Sequence, residues 1–193
     1  LLASVYYLAG HKNDAAEAPA PLVSAEHRAI KPERVNPRII SYYDPRSRIA
    51  EQYRALRTNL QSLKNKLLKT IVISSSIEGE GKTVTAINLA FTMAHDQTKK
   101  ILLIDGDLRR GGISHYLGLT NKLPGFSDVL QGLATLDEVM VTTPYKNLQI
   151  VTANKGRDVE NASELLGSEI MKKVMRSAAE EFDFIIVDSP PIL

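Results

Sequence analysis

The chain has 193 residues, 24 Lys and Arg against 22 Asp and Glu, a formal net charge of +2, no Cys and no Trp. Its length and 44% hydrophobic fraction suit one domain with a filled core, and the lack of Cys excludes a disulfide framework, a thiolate zinc site and a cysteine nucleophile. His11, His27, His95 and His115 show no metal-ligand spacing, and the net charge is too small to mark nucleic-acid binding.

The charge is uneven. Residues 1–69 carry 12 Lys and Arg against 6 Asp and Glu, a net +6, and the rest of the chain a net −4. A basic first third suits an anionic surface, an acidic partner or a solvated linker. The chain opens LLASVYYLAG, apolar and uncharged. That run is shorter than the ~20 residues of a membrane span, so it reads as the end of a span that begins upstream or as a short packed segment. No basic region precedes it, which argues against a signal peptide. Residues 11–38 are biased to Ala, Pro, Glu and Lys, with Pro19, Pro21, Pro32 and Pro37. They read as a linker. The expected division is 1–38 as apolar start and linker, and 39–193 as the folded domain.

From residue 46 to 67, Ile49, Tyr53, Leu56, Leu60, Leu63 and Leu67 recur every three or four positions. This predicts a helix with one apolar stripe, Glu51 and Arg54 opposite it and Arg57 on its flank. TIVISS (70–75), KILLID (100–105), Leu148 to Val151 and FIIVD (184–188) read as buried strands, and 82–95 and 162–181 as helices. Continuous apolar strands alternating with helices predict an α/β fold: a mostly parallel sheet with helices on both faces. The sequence stops after its last predicted strand, so we expect a piece of a longer protein.

Between the first strand and its helix lies Ser74-Ser75-Ser76-Ile77-Glu78-Gly79-Glu80-Gly81-Lys82-Thr83. A strand, a glycine-containing loop and Gly-Lys-Thr opening a helix form the layout of a P-loop. Gly79 and Gly81 let the backbone approach a polyphosphate. Loop N–H groups and the positive end of the helix dipole face it. Lys82 offers a cation to the outer phosphates and Thr83 a hydroxyl to Mg²⁺. The expected nucleotide contacts are Glu78, Gly79, Glu80, Gly81, Lys82, Thr83 and Val84. The strict pattern has Gly where this chain has Ser76.

The second strand ends Ile104-Asp105-Gly106-Asp107-Leu108-Arg109 and the fourth Val187-Asp188-Ser189-Pro190-Pro191. Ligands bind beyond the carboxyl ends of parallel strands, where all three polar segments fall. One carboxylate there can hold Mg²⁺, and another can orient or deprotonate an attacking hydroxyl. Asp105 and Asp107 alone also fit a turn, or the Asp-x-Asp metal site of a sugar-nucleotide transferase. Neither explains the loop upstream and the Asp-x-Pro-Pro downstream.

These three motifs resemble the deviant Walker A, Walker A′ and Walker B of the bacterial tyrosine kinases, the P-loop autokinases of capsule and exopolysaccharide assembly. Asp105 to Arg109 is the most discriminating piece. Related partitioning and division-site ATPases typically lack Arg there, and carry a signature Lys where this chain has Ile77. Glu51-Gln52-Tyr53-Arg54-Ala55-Leu56-Arg57 is similar to the family's Glu-x-x-Arg-x-x-Arg oligomerisation helix, and the likeness covers residues 39–193. The chain has Glu78 where the family usually has Pro, and Ala162 where Asn-Pro is common.

The resemblance implies ATP and Mg²⁺, with Lys82 on the outer phosphates and Thr83, Asp105 and Asp188 at the metal. It implies that Asp105 and Asp107 manage the metal and the incoming tyrosine hydroxyl. Lys82, Asp105, Asp107 and Asp188 would then be the catalytic set. It further implies a homo-oligomeric ring through Glu51, Arg54 and Arg57, in which one subunit phosphorylates the next. It implies a membrane adaptor partner, fused or separate, and a place at the cytoplasmic face of the inner membrane. Family members carry a C-terminal tyrosine cluster that none of the seven tyrosines here reproduces. Tyr6-Tyr7 and Tyr42-Tyr43 are pairs only, and do not mark phosphorylation sites by themselves. An ATPase switch with water as acceptor, and a nucleotide-gated scaffold without turnover, stand as alternatives.

Overall fold

A computed structural model describes residues 29–62, 69–119, 124–154, 159 and 161–192. Leu63 and Leu67 of the predicted stripe, and the apolar start, lie outside them. Among the described residues, no helix is long and apolar enough to cross a membrane.

The sheet has five strands: β1 (Thr70–Ile73), β2 (Ile101–Asp105), β3 (Val141–Thr142), β4 (Leu148–Val151) and β5 (Phe184–Asp188). Their spatial order is β1-β5-β2-β4-β3, parallel throughout except for the β3–β4 pair. The α/β expectation of a mostly parallel sheet holds. The antiparallel β3, two residues long, carries no pattern that a sequence reading could seize. Successive side chains of a strand face opposite ways. Ile101 and Leu103 of β2 therefore join one core and Leu102 and Ile104 the other, so every residue of β2 is buried and its run is uniformly apolar up to Asp105.

On the first face lie α1 (Ile40–Tyr43), α2 (Arg48–Ser62) and α3 (Lys82–Ala94). α3 is buried from Ala86 to Ala94, between the sheet and α1 and α2. α4 (Gly112–Tyr116) contributes Ile113 to this core. On the second face α5 (Phe126–Leu130), α6 (Leu136–Val139), α7 (Ala162–Leu166) and α8 (Glu169–Glu181) cover Leu102, Ile104, Ile185 and Val187.

Three expectations change. The single helix 162–181 is two helices. Ser168 has an extended backbone, and its hydroxyl caps α8 by accepting from Met171 N at 3.1 Å. A Ser cap of this kind is worth about 1 kcal/mol, enough to favour a break after Gly167. Residues 29–38, read as linker, instead enter the core. Ile30 and Val35 are buried, Ile30 N donates to Thr142 O, and Asn36 N donates to Tyr116 O. The α2 stripe is only partly covered: Tyr53 and Leu60 pack on the core, while Ile49 and Leu56 stay exposed at 59% and 37%.

Candidate functional site

The register brings the predicted residues to one edge. Asp105 of β2 is level with Asp188 of β5, and Asp188 with Ile73 of β1. The loop from Ile73 to α3 therefore starts beside the two carboxylates. Asp105 and Asp188 are both buried. Gly106 N donates to Asp188 O at 2.7 Å, which ties the two strand ends together. A Cβ at Gly106 would stand 2.9 Å from Asp188 O and 3.0 Å from Val187 Cγ1. Only a glycine lets the backbones meet there.

In the loop, Gly79 and Gly81 have φ of +83° and +89°, the left-handed region that favours glycine. Gly81 is the N-cap of α3, and no side chain caps that helix. Its first-turn N–H groups thus stay open to an anion. Glu80 turns back on the loop and accepts from Ser76 N and Ile77 N at 3.0 and 3.2 Å. This carboxylate clasp spans the position where the strict pattern has Gly. Glu78 forms an ion pair with Arg110, linking the phosphate loop to the loop after β2.

Lys82, Thr83 and Val84 open α3 and are half-buried. Thr83 packs against Gly112 at the start of α4, where a Cβ would lie 3.0 Å from its Oγ1. Asp107 is half-buried and its Oδ1 accepts from Arg110 N at 3.2 Å. Arg109 is exposed and makes no ion pair among the described residues, so the Arg that contacts the phosphate loop is its neighbour Arg110.

Burial and neighbouring charges act on both buried carboxyls. Burial raises the Asp188 pKa to about 6; the adjacent Thr83 hydroxyl and the Lys82 ammonium pull it down, and the Asp107 charge pushes it up. Burial also drives Asp105 well above the usual carboxylate range, against the Ile113 N–H it accepts at 3.0 Å, with Asp188 and Asp107 adding repulsion. Thr83 favours the charged form of Asp188 without being aligned as a hydrogen bond. Among the described residues Asp105 Oδ1 and both Asp188 oxygens have no hydrogen-bond partner. Buried carboxylate oxygens without donors are costly, and a hard divalent cation satisfies them. Among the described residues no group of three or more His, Cys, Asp and Glu is placed to hold a metal ion by itself. Mg²⁺ suits such a site, because it keeps water and phosphate ligands and needs only one or two carboxylates.

Glu51, Arg54 and Arg57 stand apart on α2. Glu51 and Arg54 form an exposed ion pair three residues apart, and Arg54 also donates to Pro45 O. Arg57 points into its own fold: Nη1 donates to Thr92 O of α3 at 3.0 Å, and Nε is buried without a partner among the described residues. The sequence reading missed the Glu80 clasp, the Glu78–Arg110 pair and the close approach at Gly106. Only the last left a signal, a glycine fixed between two aspartates.

Comparison with known proteins gives a consistent picture. A family model described as an AAA domain matches residues 68–193. The tyrosine-protein kinase YwqD of Bacillus subtilis is 35% identical over 167 residues, 86% of this chain and 69% of that protein. The tyrosine-protein kinase CpsD of Streptococcus pneumoniae is 37% identical over 142 residues, 74% of this chain and 61% of that protein. The chain thus spans about three fifths to two thirds of these relatives. Among solved structures, the chimerical protein CapA2B2 superposes with a TM-score of 0.74 at 29% identity, covering 82% of this chain and 69% of that one. The septum site-determining protein MinD of Pyrococcus horikoshii, complexed with Mg-ADP, reaches 0.54 at 28% identity, with 66% and 51% covered. The likeness to CapA2B2 is the greater by both extent and fit.

Proposed function

The chain belongs to the bacterial tyrosine-protein kinase family, and from that premise we propose that it transfers the γ-phosphoryl group of ATP to protein tyrosine. The observation that carries this reading is the pair of buried aspartates, level across adjacent strands and with oxygens unpartnered among the described residues, of which Asp188 lies beside Lys82 and Thr83 at the start of α3.

The residues divide the work. The loop N–H groups and the α3 dipole hold the phosphates, with Lys82 as the mobile cation. Thr83, Asp105 and Asp188 would hold Mg²⁺, which when bound neutralises charge on the transferring phosphates. Asp107, less buried than the other two, is free to orient the tyrosine hydroxyl and accept its proton. Gly106 fixes the spacing of Asp105 and Asp188. Glu78 to Val84 line the phosphate site, and Glu80 keeps the loop closed around it.

From the resemblance carried by Asp105 to Arg109 and by Glu51, Arg54 and Arg57, we infer capsule or exopolysaccharide assembly as the setting, at the cytoplasmic face of the inner membrane and with a membrane adaptor. We assign the uncovered Ile49 and Leu56 of α2, flanked by Glu51 and Arg54, to contact with a neighbouring subunit in a homo-oligomer. Arg57 would act there through its own helix packing.

The test is incubation of the full chain with γ-labelled ATP and Mg²⁺. Alkali-stable phosphotyrosine is expected, and Lys82→Met should abolish it. Release of inorganic phosphate with no labelled protein would contradict the reading and indicate an ATPase switch.

A further inference from the structure

We propose that Tyr43 is a phosphorylation site of this chain and that its modification frees the segment 29–39 from the folded domain; this rests on the kinase reading above. Among the described tyrosines, Tyr42, Tyr53, Tyr116 and Tyr145 are half-buried, while Tyr43 is 47% exposed. The two members of the Tyr42-Tyr43 pair differ in kind. Tyr42 points inward and stacks edge-on against Phe91 of α3 at 5.4 Å. Tyr43 faces outward with its ring edge-on to Tyr42, and its hydroxyl donates to Pro32 O at 3.1 Å and to Val35 O.

Those carbonyls belong to the segment that the fold straps across α3 and α4. The strap buries Ile30, Val35 and Ile39. Its polar ties include Ile30 N to Thr142 O at 3.3 Å, Asn36 N to Tyr116 O at 2.7 Å, and Asn88 Nδ2 to Arg38 O at 3.1 Å. The Tyr43 hydroxyl proton is a further clasp. A phosphoester oxygen has no proton to donate, and its phosphate would set about −1.5 to −2 charges against two carbonyl oxygens. The surroundings suit such a group once it moves. Lys31, Arg34, Arg38, Arg46 and Arg48 flank the tyrosine in sequence against Glu33 and Asp44. The five cations are exposed and make no ion pairs among the described residues. Phosphorylation would replace two contacts that hold the strap with charge-assisted bonds to Arg46 and Arg48, which lie outside it, whereas Lys31, Arg34 and Arg38 belong to the strap itself.

In the transfer the Tyr43 hydroxyl oxygen bonds the γ-phosphorus of ATP. The bond from that phosphorus to the β–γ bridging oxygen breaks. ADP leaves with the electron pair, and the hydroxyl proton passes to Asp107 of the acting site.

The experiment incubates the full chain with ATP and Mg²⁺ and digests it with trypsin. Residues 39–46 lie between Arg38 and the cleavage after Arg46 and carry both tyrosines. Fragment masses then separate the two. Phosphate on Tyr43 is expected, with exchange of the Ile30 and Asn36 amides about tenfold faster than in unmodified protein, the effect of losing about one hydrogen bond of ~1.4 kcal/mol. Tyr43→Phe, which removes the proton without adding charge, should speed the same amides by a smaller factor. Phosphotyrosine elsewhere with Tyr43 unmodified overturns the proposal, as does a phosphorylated Tyr43 with unchanged exchange. Absence of any phosphotyrosine overturns it together with the kinase reading, so the two failures are told apart.

Discussion

Replacing Asp188 by Asn should stabilise the protein without nucleotide while removing its activity. Asp188 is buried, both of its oxygens lack donors among the described residues, and its pKa is raised from 3.8 to about 6. The folded state therefore binds the proton more tightly than the unfolded chain. Stability from this group is complete below pH ~4 and is lost as pH rises through about 6. A shift of about two units at ~1.4 kcal/mol each puts the loss near 3 kcal/mol at neutral pH. Asn carries no charge but brings an amide that needs partners, at about 1–2 kcal/mol. The net gain is about 1–2 kcal/mol, or roughly 2–8 °C in melting temperature for a domain of this size. Thermal melts of both proteins at pH 7.5 and pH 4.5, without nucleotide or divalent cation, provide the assay. The variant should lead at pH 7.5 and lose that lead at pH 4.5, where wild-type Asp188 is protonated. Added Mg-ATP should stabilise the wild type and not the variant. A variant less stable than wild type at pH 7.5, or a lead independent of pH, would mean that the buried Asp188 charge does not destabilise the fold.

Gly106→Ala should lower phosphotransfer at least about tenfold, because the added Cβ at 2.9 Å from Asp188 O must part the two strand ends; steady-state assays with a melt to confirm folding check this. Arg57→Ala should lower stability by about 1–3 kcal/mol, since its bond to Thr92 O is lost from a partly buried position. Glu51→Ala should leave the melt nearly unchanged, because an exposed pair three residues apart contributes at most about 0.5 kcal/mol. Sedimentation should instead record a smaller assembly for Glu51→Ala.

Much of the fold was legible because the buried strands announce themselves. Ile101 to Ile104 and Phe184 to Val187 are apolar on both faces, and each ends in an aspartate that cannot continue the run. The glycine-rich loop before Lys82 was legible for the same local reason. The strap at 29–38 was not: Ile30 and Val35 are scattered among prolines and charges, and only the finished surface of α3 and α4 gives them somewhere to pack. The break at Gly167-Ser168 was visible as a capping pair, but the apolar pattern on either side hid it. Glu80 and Arg110 could not be read at all, because their partners are set by how two loops fold toward each other. Arg57 shows the same limit. Its spacing suits an exposed motif, and its guanidinium instead meets a backbone carbonyl 35 residues away.

The most direct measurement is a crystal structure of the full chain with Mg²⁺ and a non-hydrolysable ATP analogue. The triphosphate should lie along residues 78–84, with the Lys82 ammonium on its outer phosphates and the metal held by Thr83 and the aspartates at 105 and 188. A nucleotide bound away from that strand edge, or a metal that touches neither aspartate directly or through water, would contradict this placement.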